Sequence, residues 1–230
     1  MNIIWLGHSG FRIEIGDQVL LVDPWFTGNP SFPADQRDAA IAGATHLLVT
    51  HGHGDHSADA LTLARDLAIP AVGIYDLMSH WEATENIATV GFNKGGTVQL
   101  GTVAVTMVNA VHSSSIGTDH GPMYAGAEAG FMITGDGHTI YVSGDTDIMA
   151  DMEWMGELHA PDIGILCAGG HFTMDMKRAG FAAKKYFNFK TVIPCHYKTF
   201  PLLEQSADDL IAALPDVDVI EPTVMVPIPL

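Results

Sequence analysis

The sequence predicts an α/β protein arranged as a four-layer αββα sandwich, two β-sheets face to face with helices on both outer sides. Three observations lead there. Short strands come first, strand–helix units follow, and the same layout recurs in the second half of the chain. No linker-like, low-complexity or short-period stretch divides the 230 residues, so the chain (1–230) is read as a single domain. Hydrophobic residues make up 47% and charged residues 16%, which suits one sizeable core and excludes a disordered chain.

The elements follow in order. Residues 2–6, 11–15 and 18–22 read as three short strands, with Gly16-Asp17 as the turn between the last two. Residues 24–37 are rich in proline and glycine and read as a loop, with a short helical turn in 35–41. An apolar strand over 44–50 precedes a tight loop, and Ser57 is placed to cap a helix over 58–68. Strand 71–74 leads to a helix capped by Asp76 and running to about residue 84. Strands 97–100 and 103–109 turn at Gly101. Strands 124–134 and 139–143 are joined through Asp136-Gly137, a strong hairpin signal. A helix over 147–158 carries Ile148, Met152 and Met155 at helical spacing, as core positions. Strand 163–167 feeds a helix over 173–187. Strand 192–195 feeds a helix capped by Ser206, with Asp209 at the capping-box position, ending before Pro215. A last strand over 224–228 is assigned to a sheet edge by Pro227 and Pro229.

One stretch stands apart: His51-Gly52-His53-Gly54-Asp55-His56, or H-x-H-x-D-H. Four potential metal ligands fall within six residues. Neutral imidazoles and carboxylates suit a borderline-soft divalent ion. On a regular strand, successive side chains would point to opposite faces. The ligands therefore need a tight loop, for which Gly52 and Gly54 supply backbone freedom. The motif lies at the carboxyl end of a strand and before a helix, where open sheets place their chemistry.

The motif and its context resemble the first metal signature of the metallo-β-lactamase superfamily. The ordered set Gly7-His8-Ser9, Val22-Asp23-Pro24, Val111-His112-Ser113-Ser114, Ser143-Gly144-Asp145-Thr146, His171-Phe172-Thr173-Met174 and Pro194-Cys195-His196-Tyr197 is similar to its small bacterial and archaeal metal-dependent hydrolase branch, related to the ascorbate-6-phosphate lactonase type. The resemblance implies the sandwich already inferred, with the metal site at one edge between the sheets. It implies His51, His53 and His112 on one ion, Asp55, His56 and His196 on a second, and Asp145 bridging both. It implies a cofactor of two divalent ions, zinc first and manganese second, and hydrolysis of a small ester, lactone or phosphodiester by a hydroxide held between them. A carboxylate has two oxygens and can span two ions about 3.5–4 Å apart, which is what such a role for Asp145 requires. No G-x-S-x-G elbow and no P-loop offers a competing site.

Two other functional classes stay open. One is a di-iron redox protein on the same fold; its oxygen-reducing relatives usually carry Glu where this chain has His53. The other is a metal-binding protein without catalysis. Several residues keep two readings. His8, ending the first strand, either faces the metal pocket or is structural. Asp23 is expected to orient the metal loop without ligating. Tyr197 sits either near a leaving group or in packing. Many members of the branch carry Gly-Asp-Asn before Phe-Thr-Met where this chain has Gly169-Gly170-His171, so a carboxylate is missing and an imidazole is gained. His171 is a candidate substrate contact, or else a loop residue before a Thr173 cap. With Asp55 and Asp145, His171 and Tyr197 complete the candidate catalytic set. Cys167 and Cys195 each end an apolar run and read as buried free thiols.

A formal net charge of −17 and the lack of a basic stripe argue against nucleic acid and anionic membrane surfaces as partners. No apolar run approaches the ~18–20 residues of a membrane span. Without a secretory leader pattern and with two cysteines, the chain is expected to be cytoplasmic. Its expected partner is a small-molecule substrate; self-association into a homo-oligomer is compatible with the sequence.

Overall fold

The structure, a computed structural model, describes residues 1–230. The first half forms β1 (Asn2–Trp5), β2 (Phe11–Ile15), β3 (Gln18–Val22), α1 (Arg37–Ile41), β4 (His46–Val49), α2 (Gly54–Ser57), α3 (Ala60–Leu67), β5 (Ala71–Ile74), α4 (Tyr75–Glu85) and β6 (Thr89–Phe92). The second half forms β7 (Thr97–Leu100), β8 (Val103–Asn109), β9 (Ser115–Thr118), β10 (Gly121–Tyr124), β11 (Ala129–Gly135), β12 (His138–Val142), α5 (Met152–His159), β13 (Ile163–Cys167), α6 (Met176–Tyr186), β14 (Thr191–Cys195), α7 (Asp208–Ala213), β15 (Asp218–Val219) and β16 (Pro227–Pro229).

Two seven-stranded sheets result, ordered β16-β1-β2-β3-β4-β5-β6 and β15-β14-β13-β12-β11-β8-β7. In each, an antiparallel part continues into a parallel part, β3 to β6 and β12 to β15. The parallel strands β5, β13 and β14 are buried at every position, as their unbroken apolar runs require. Inner faces meet through pairs such as Phe92 on β6 and Phe131 on β11, stacked 6.3 Å apart. Burying a ring of that size stabilises the fold by about 1.5–3 kcal/mol. At the edge opposite the metal motif, the hairpin turns fasten the sheets: the Asp17 carboxylate accepts from the Thr102 N–H (2.9 Å) and hydroxyl (2.8 Å). No helix is long and apolar enough to cross a membrane.

The αββα expectation holds, and β16 pairs at the edge beside β1 as its prolines suggest. Local boundaries differ where side chains make tertiary bonds. Ser57 caps nothing; its hydroxyl donates to the Gly52 and His53 carbonyls (2.9 and 3.0 Å), and the expected helix divides into α2 and α3. Asp76 lies inside α4 and not at its cap. The helix expected from residue 147 begins at Met152; the Asp147 N–H is bonded to the Val111 carbonyl (3.1 Å), which ties this segment to the chain after β8. Asp175 caps α6, accepting from the Arg178 N–H at 2.7 Å, where Thr173 was expected. The strand expected over 124–134 breaks at Gly126, whose φ is +78°. Tyr124 instead closes the β9–β10 hairpin, whose short, largely exposed strands Ser115-Ile116-Gly117-Thr118 and Gly121-Pro122-Met123-Tyr124 carry no periodic signal.

Candidate metal centre

Strands β1, β3, β4, β8, β12 and β14 deliver their carboxyl ends to one edge of the sandwich. His8, Asp23, His51, His112, Asp145 and His196 lie just beyond those ends. Hydrogen bonds between the sheets close this edge: the His196 N–H donates to the His8 carbonyl (2.9 Å) and the Ala129 N–H to the Thr50 carbonyl (3.0 Å). Left-handed backbone is needed here, but not at the motif glycines. Gly54 starts α2, and Gly52 is small because Ser115 and Ala125 press on it, a Cβ there lying 3.0 Å from each. His8, Asp23 and His196 take the strained φ values instead, +53°, +45° and +58°. Such values at non-glycine residues cost of order 1–3 kcal/mol each and collect at functional sites.

The donor atoms gather around Asp145, a buried carboxylate. Its Oδ2 lies 3.1 Å from His196 Nε2, 3.3 Å from His56 Nε2, 3.6 Å from His112 Nε2 and 4.0 Å from His51 Nε2. His53 Nδ1 is 3.0 Å from His51 Nε2. On the other side, Asp55 Oδ2 is 3.7 Å from His196 Nε2 and 3.8 Å from His56 Nε2. Ligands bound tetrahedrally at about 2.0–2.1 Å stand roughly 3.3 Å apart, so these spacings suit shared ions. His51, His53 and His112 form one compact donor group, Asp55, His56 and His196 with His8 form another, and Asp145 groups with His51 and His56. His56 Nε2 and Asp145 Oδ1 are buried with no hydrogen-bond partner, a costly arrangement that a cation relieves.

Behind the donors, Asp23 accepts from His56 Nδ1 (2.8 Å), from the Thr50 N–H (2.8 Å) and from the Thr50 hydroxyl (2.6 Å). With its proton committed to Asp23, Thr50 accepts from His51 Nδ1 at 3.0 Å. Both imidazoles thus keep a proton on Nδ1 and turn Nε2 toward Asp145, the atom that a cation would take. Asp23 therefore orients the loop without entering the donor groups, as expected. Thr50 was not singled out from the sequence; only its place next to His51 could have marked it. Glu128, also unanticipated, accepts from the His112 N–H (3.2 Å). Asp59 accepts from the Phe26 and Thr27 N–H groups (2.7 and 2.9 Å) and ties down the loop after β3.

Electrostatics divide the cluster. Burial pulls His51, His53 and His112 below the ordinary imidazole range, keeping them neutral. Burial opposes charge at Asp145 and Asp55 too, yet the facing histidines outweigh it and hold both carboxyls below the usual range. His56 is likewise opposed by burial but lifted well above its usual value by Asp145 and Asp23; His196 is lifted by Asp145 to about 9. Without a cation, protons thus balance the carboxylates. Filling the Asp55–His56–His196 group at pH 7 is expected to release about two protons, one from each histidine. A raised pKa means the His196 proton is held below about pH 9, so affinity should fall as pH falls, and release should decrease above pH 9 as His196 loses its proton beforehand. Titration in weak buffer with a pH indicator measures this; no release at pH 7 would contradict the charge assignment.

A cleft of about 290 Å³ opens onto the cluster, with Ser113 and Phe172 completing its walls. His171 is not in it. Gly170, at φ +87°, turns the chain so that His171 lines an adjoining cleft beyond Phe172, with Asp147 and Arg178. Tyr197 is corrected to a packed aromatic. It is fully buried, stacked on Trp5 at 5.8 Å, and its hydroxyl points to Glu221 (3.5 Å), away from the cleft. Cys167 and Cys195 are buried free thiols.

Comparison with known proteins places this geometry in a context. Residues 18–197 match the family described as the beta-lactamase superfamily domain. A UPF0173 metal-dependent hydrolase of Dinoroseobacter shibae is 72% identical over 225 residues, covering 98% of each chain. One of Paracoccus denitrificans is 69% identical over 230 residues, covering 100% of both. Among solved structures, Igni18, a metallo hydrolase from the archaeon Ignicoccus hospitalis, superposes with a TM-score of 0.85 at 28% identity. That match covers 100% of this chain and 98% of the other.

Proposed function

Because this chain belongs to the beta-lactamase superfamily, and is a metal-dependent hydrolase within it, we propose that it holds two divalent ions, zinc by preference, and hydrolyses a small ester, lactone or phosphodiester. The observation that carries this reading is the position of Asp145. Its carboxylate stands between the His51–His53–His112 group and the Asp55–His56–His196 group, and histidines of both face the same oxygen within 4.0 Å. An all-imidazole first group suits zinc, with manganese as the alternative. When bound, such ions would acidify water near neutral pH and stabilise negative charge on the substrate oxygen.

The chain's own residues do the rest. Asp23 and Thr50 fix the tautomers of His56 and His51, so that both present Nε2 to a cation. Phe172 lines both the cleft and the adjoining one that holds His171 and Arg178, and so stands between them. A substrate longer than the first cleft would pass Phe172 and meet His171, which gives that residue its candidate contact role.

The test is elemental analysis after zinc reconstitution, joined to a panel of esters, lactones and phosphodiesters. The expected result is two ions per chain and turnover on one of these classes that a chelator abolishes. At most one ion per chain would remove the bridging role of Asp145. Two ions with no turnover on any class would favour the non-catalytic metal-binding reading.

A further inference from the structure

We infer that His8 is not a ligand but the hydrogen-bond donor that positions Asp55 for the second ion, fixed in that role by Thr199. His8 Nε2 lies 3.0 Å from Asp55 Oδ2, and His8 Nδ1 lies 2.8 Å from the Thr199 hydroxyl oxygen. By proximity alone His8 would join Asp55, His56 and His196 as a fourth donor. The proton count separates it from them.

A neutral imidazole carries one proton and one lone pair. If that proton sat on Nδ1, the Nε2 lone pair would face a carboxylate lone pair at 3.0 Å in a buried site, which is repulsive. The opposite tautomer satisfies every atom. The Thr199 hydroxyl donates to Nδ1, and Nε2–H donates to Asp55. The competing acceptor for Thr199 is the Tyr197 carbonyl, two residues back and farther away at 3.3 Å. His51 and His56 show the reverse pattern. Their Nδ1 protons go to Thr50 and Asp23, which leaves Nε2 as the atom each offers to a cation. The same edge thus holds two kinds of imidazole, told apart by what stands behind Nδ1. Behind His51 is a hydroxyl whose proton is already committed to Asp23. Behind His8 is a hydroxyl whose other acceptor, the Tyr197 carbonyl, is farther off at 3.3 Å than His8 Nδ1 at 2.8 Å.

Asp55 needs such a partner. Its side chain is a third exposed, at 32%, and projects from the four-residue helix α2; its nearest donor is His8, with His196 Nε2 farther off at 3.7 Å. His8 itself is 1% exposed and beyond the reach of substrate. Its position is set by the left-handed backbone after β1 and by the His196 N–H bonded to its carbonyl. Outer partners of metal ligands typically account for about 10–100-fold in metal affinity.

This inference rests on the reading of Asp55 as a ligand, and the test separates the two. Zinc is titrated into metal-free wild type and into His8→Ala, His8→Gln and Thr199→Val, with stoichiometry by elemental analysis and folding checked by circular dichroism. In wild type two ions are expected. His8→Ala should weaken the second ion about 10–100-fold while leaving the first unchanged. His8→Gln, whose amide N–H can occupy the Nε2 position, should recover affinity to within about threefold of wild type. Thr199→Val keeps side-chain shape but removes the donor to Nδ1, and should weaken the second ion in the same direction. A purely packing role for His8 predicts no effect of Thr199→Val. Equal losses in His8→Gln and His8→Ala would overturn the donor assignment, as would unchanged affinity in His8→Ala. Only one ion in wild type would overturn the ligand reading of Asp55, and this inference with it.

Discussion

Replacing Asp145 with asparagine is expected to lower turnover by about three orders of magnitude or more, the largest loss for any single substitution in this chain. The side chains are isosteric, so the buried pocket keeps its shape and the effect isolates charge. The Asp145 carboxylate has imidazole nitrogens of four histidines within 4.0 Å of Oδ2, and its Oδ1 has no partner at all. Asparagine removes the negative charge and replaces one acceptor with an N–H₂ group that would point at a cation. Two ions brought close together repel strongly in a buried site, and the bridging charge offsets that repulsion. The variant should bind one ion less, and its turnover should fall with the ion. Steady-state rates and elemental analysis on the same preparation measure both. Two ions and undiminished turnover in Asp145→Asn would remove the bridge from the mechanism.

The site was legible in the sequence to the extent that its residues follow strands. Each run of apolar residues that packs as a buried strand must end at a sheet edge, so His112, Asp145 and His196 could be placed at the end of the runs that precede them. The spacing of His51 to His56 needed only a tight loop. What was not legible depends on single backbone angles. His196 and Lys198 take φ values of +58° and +63°, which send the Tyr197 ring between them into the core beside Trp5. Adjacency to His196 suggested the cleft. Gly170 acts similarly on His171, which stands one cleft away from the cluster. His8 was ambiguous because its role depends on a hydroxyl 191 residues away, and no local pattern reports that contact. The hairpin β9–β10, which packs over Gly52, was missed because four-residue strands broken by Gly117, Gly121 and Pro122 show no alternation.

In a single turnover run in oxygen-18 water, the oxygen added to the product is expected to be fully labelled, and the enzyme is expected to gain no covalent adduct. The reason is the state of the thiols, of Ser113 and Ser143, and of the two carboxylates at the cleft. Cys167 is buried, and burial pushes its thiol up to about 12; burial likewise raises Cys195 well above its usual value. Neither supplies thiolate at neutral pH. Ser143 is buried with its hydroxyl donated to the Gly144 carbonyl (2.7 Å). Ser113 lines the cleft, but no imidazole or carboxylate is hydrogen-bonded to its hydroxyl to serve as its base. That leaves carboxylates and water. Asp145 is hemmed in by imidazoles, and Asp55 is held by His8, so neither is free to approach a substrate carbon or phosphorus. With enzyme in excess over substrate, mass spectrometry of the first product tests the carboxylates, because a carboxylate attack would pass unlabelled oxygen into it. Intact mass of the acid-quenched enzyme tests hydroxyls and thiols, because either would carry the acyl or phosphoryl group as an added mass. Unlabelled oxygen in the first product, or an adduct that forms and decays at the rate of turnover, would place a protein nucleophile in the reaction and displace water as the attacking group.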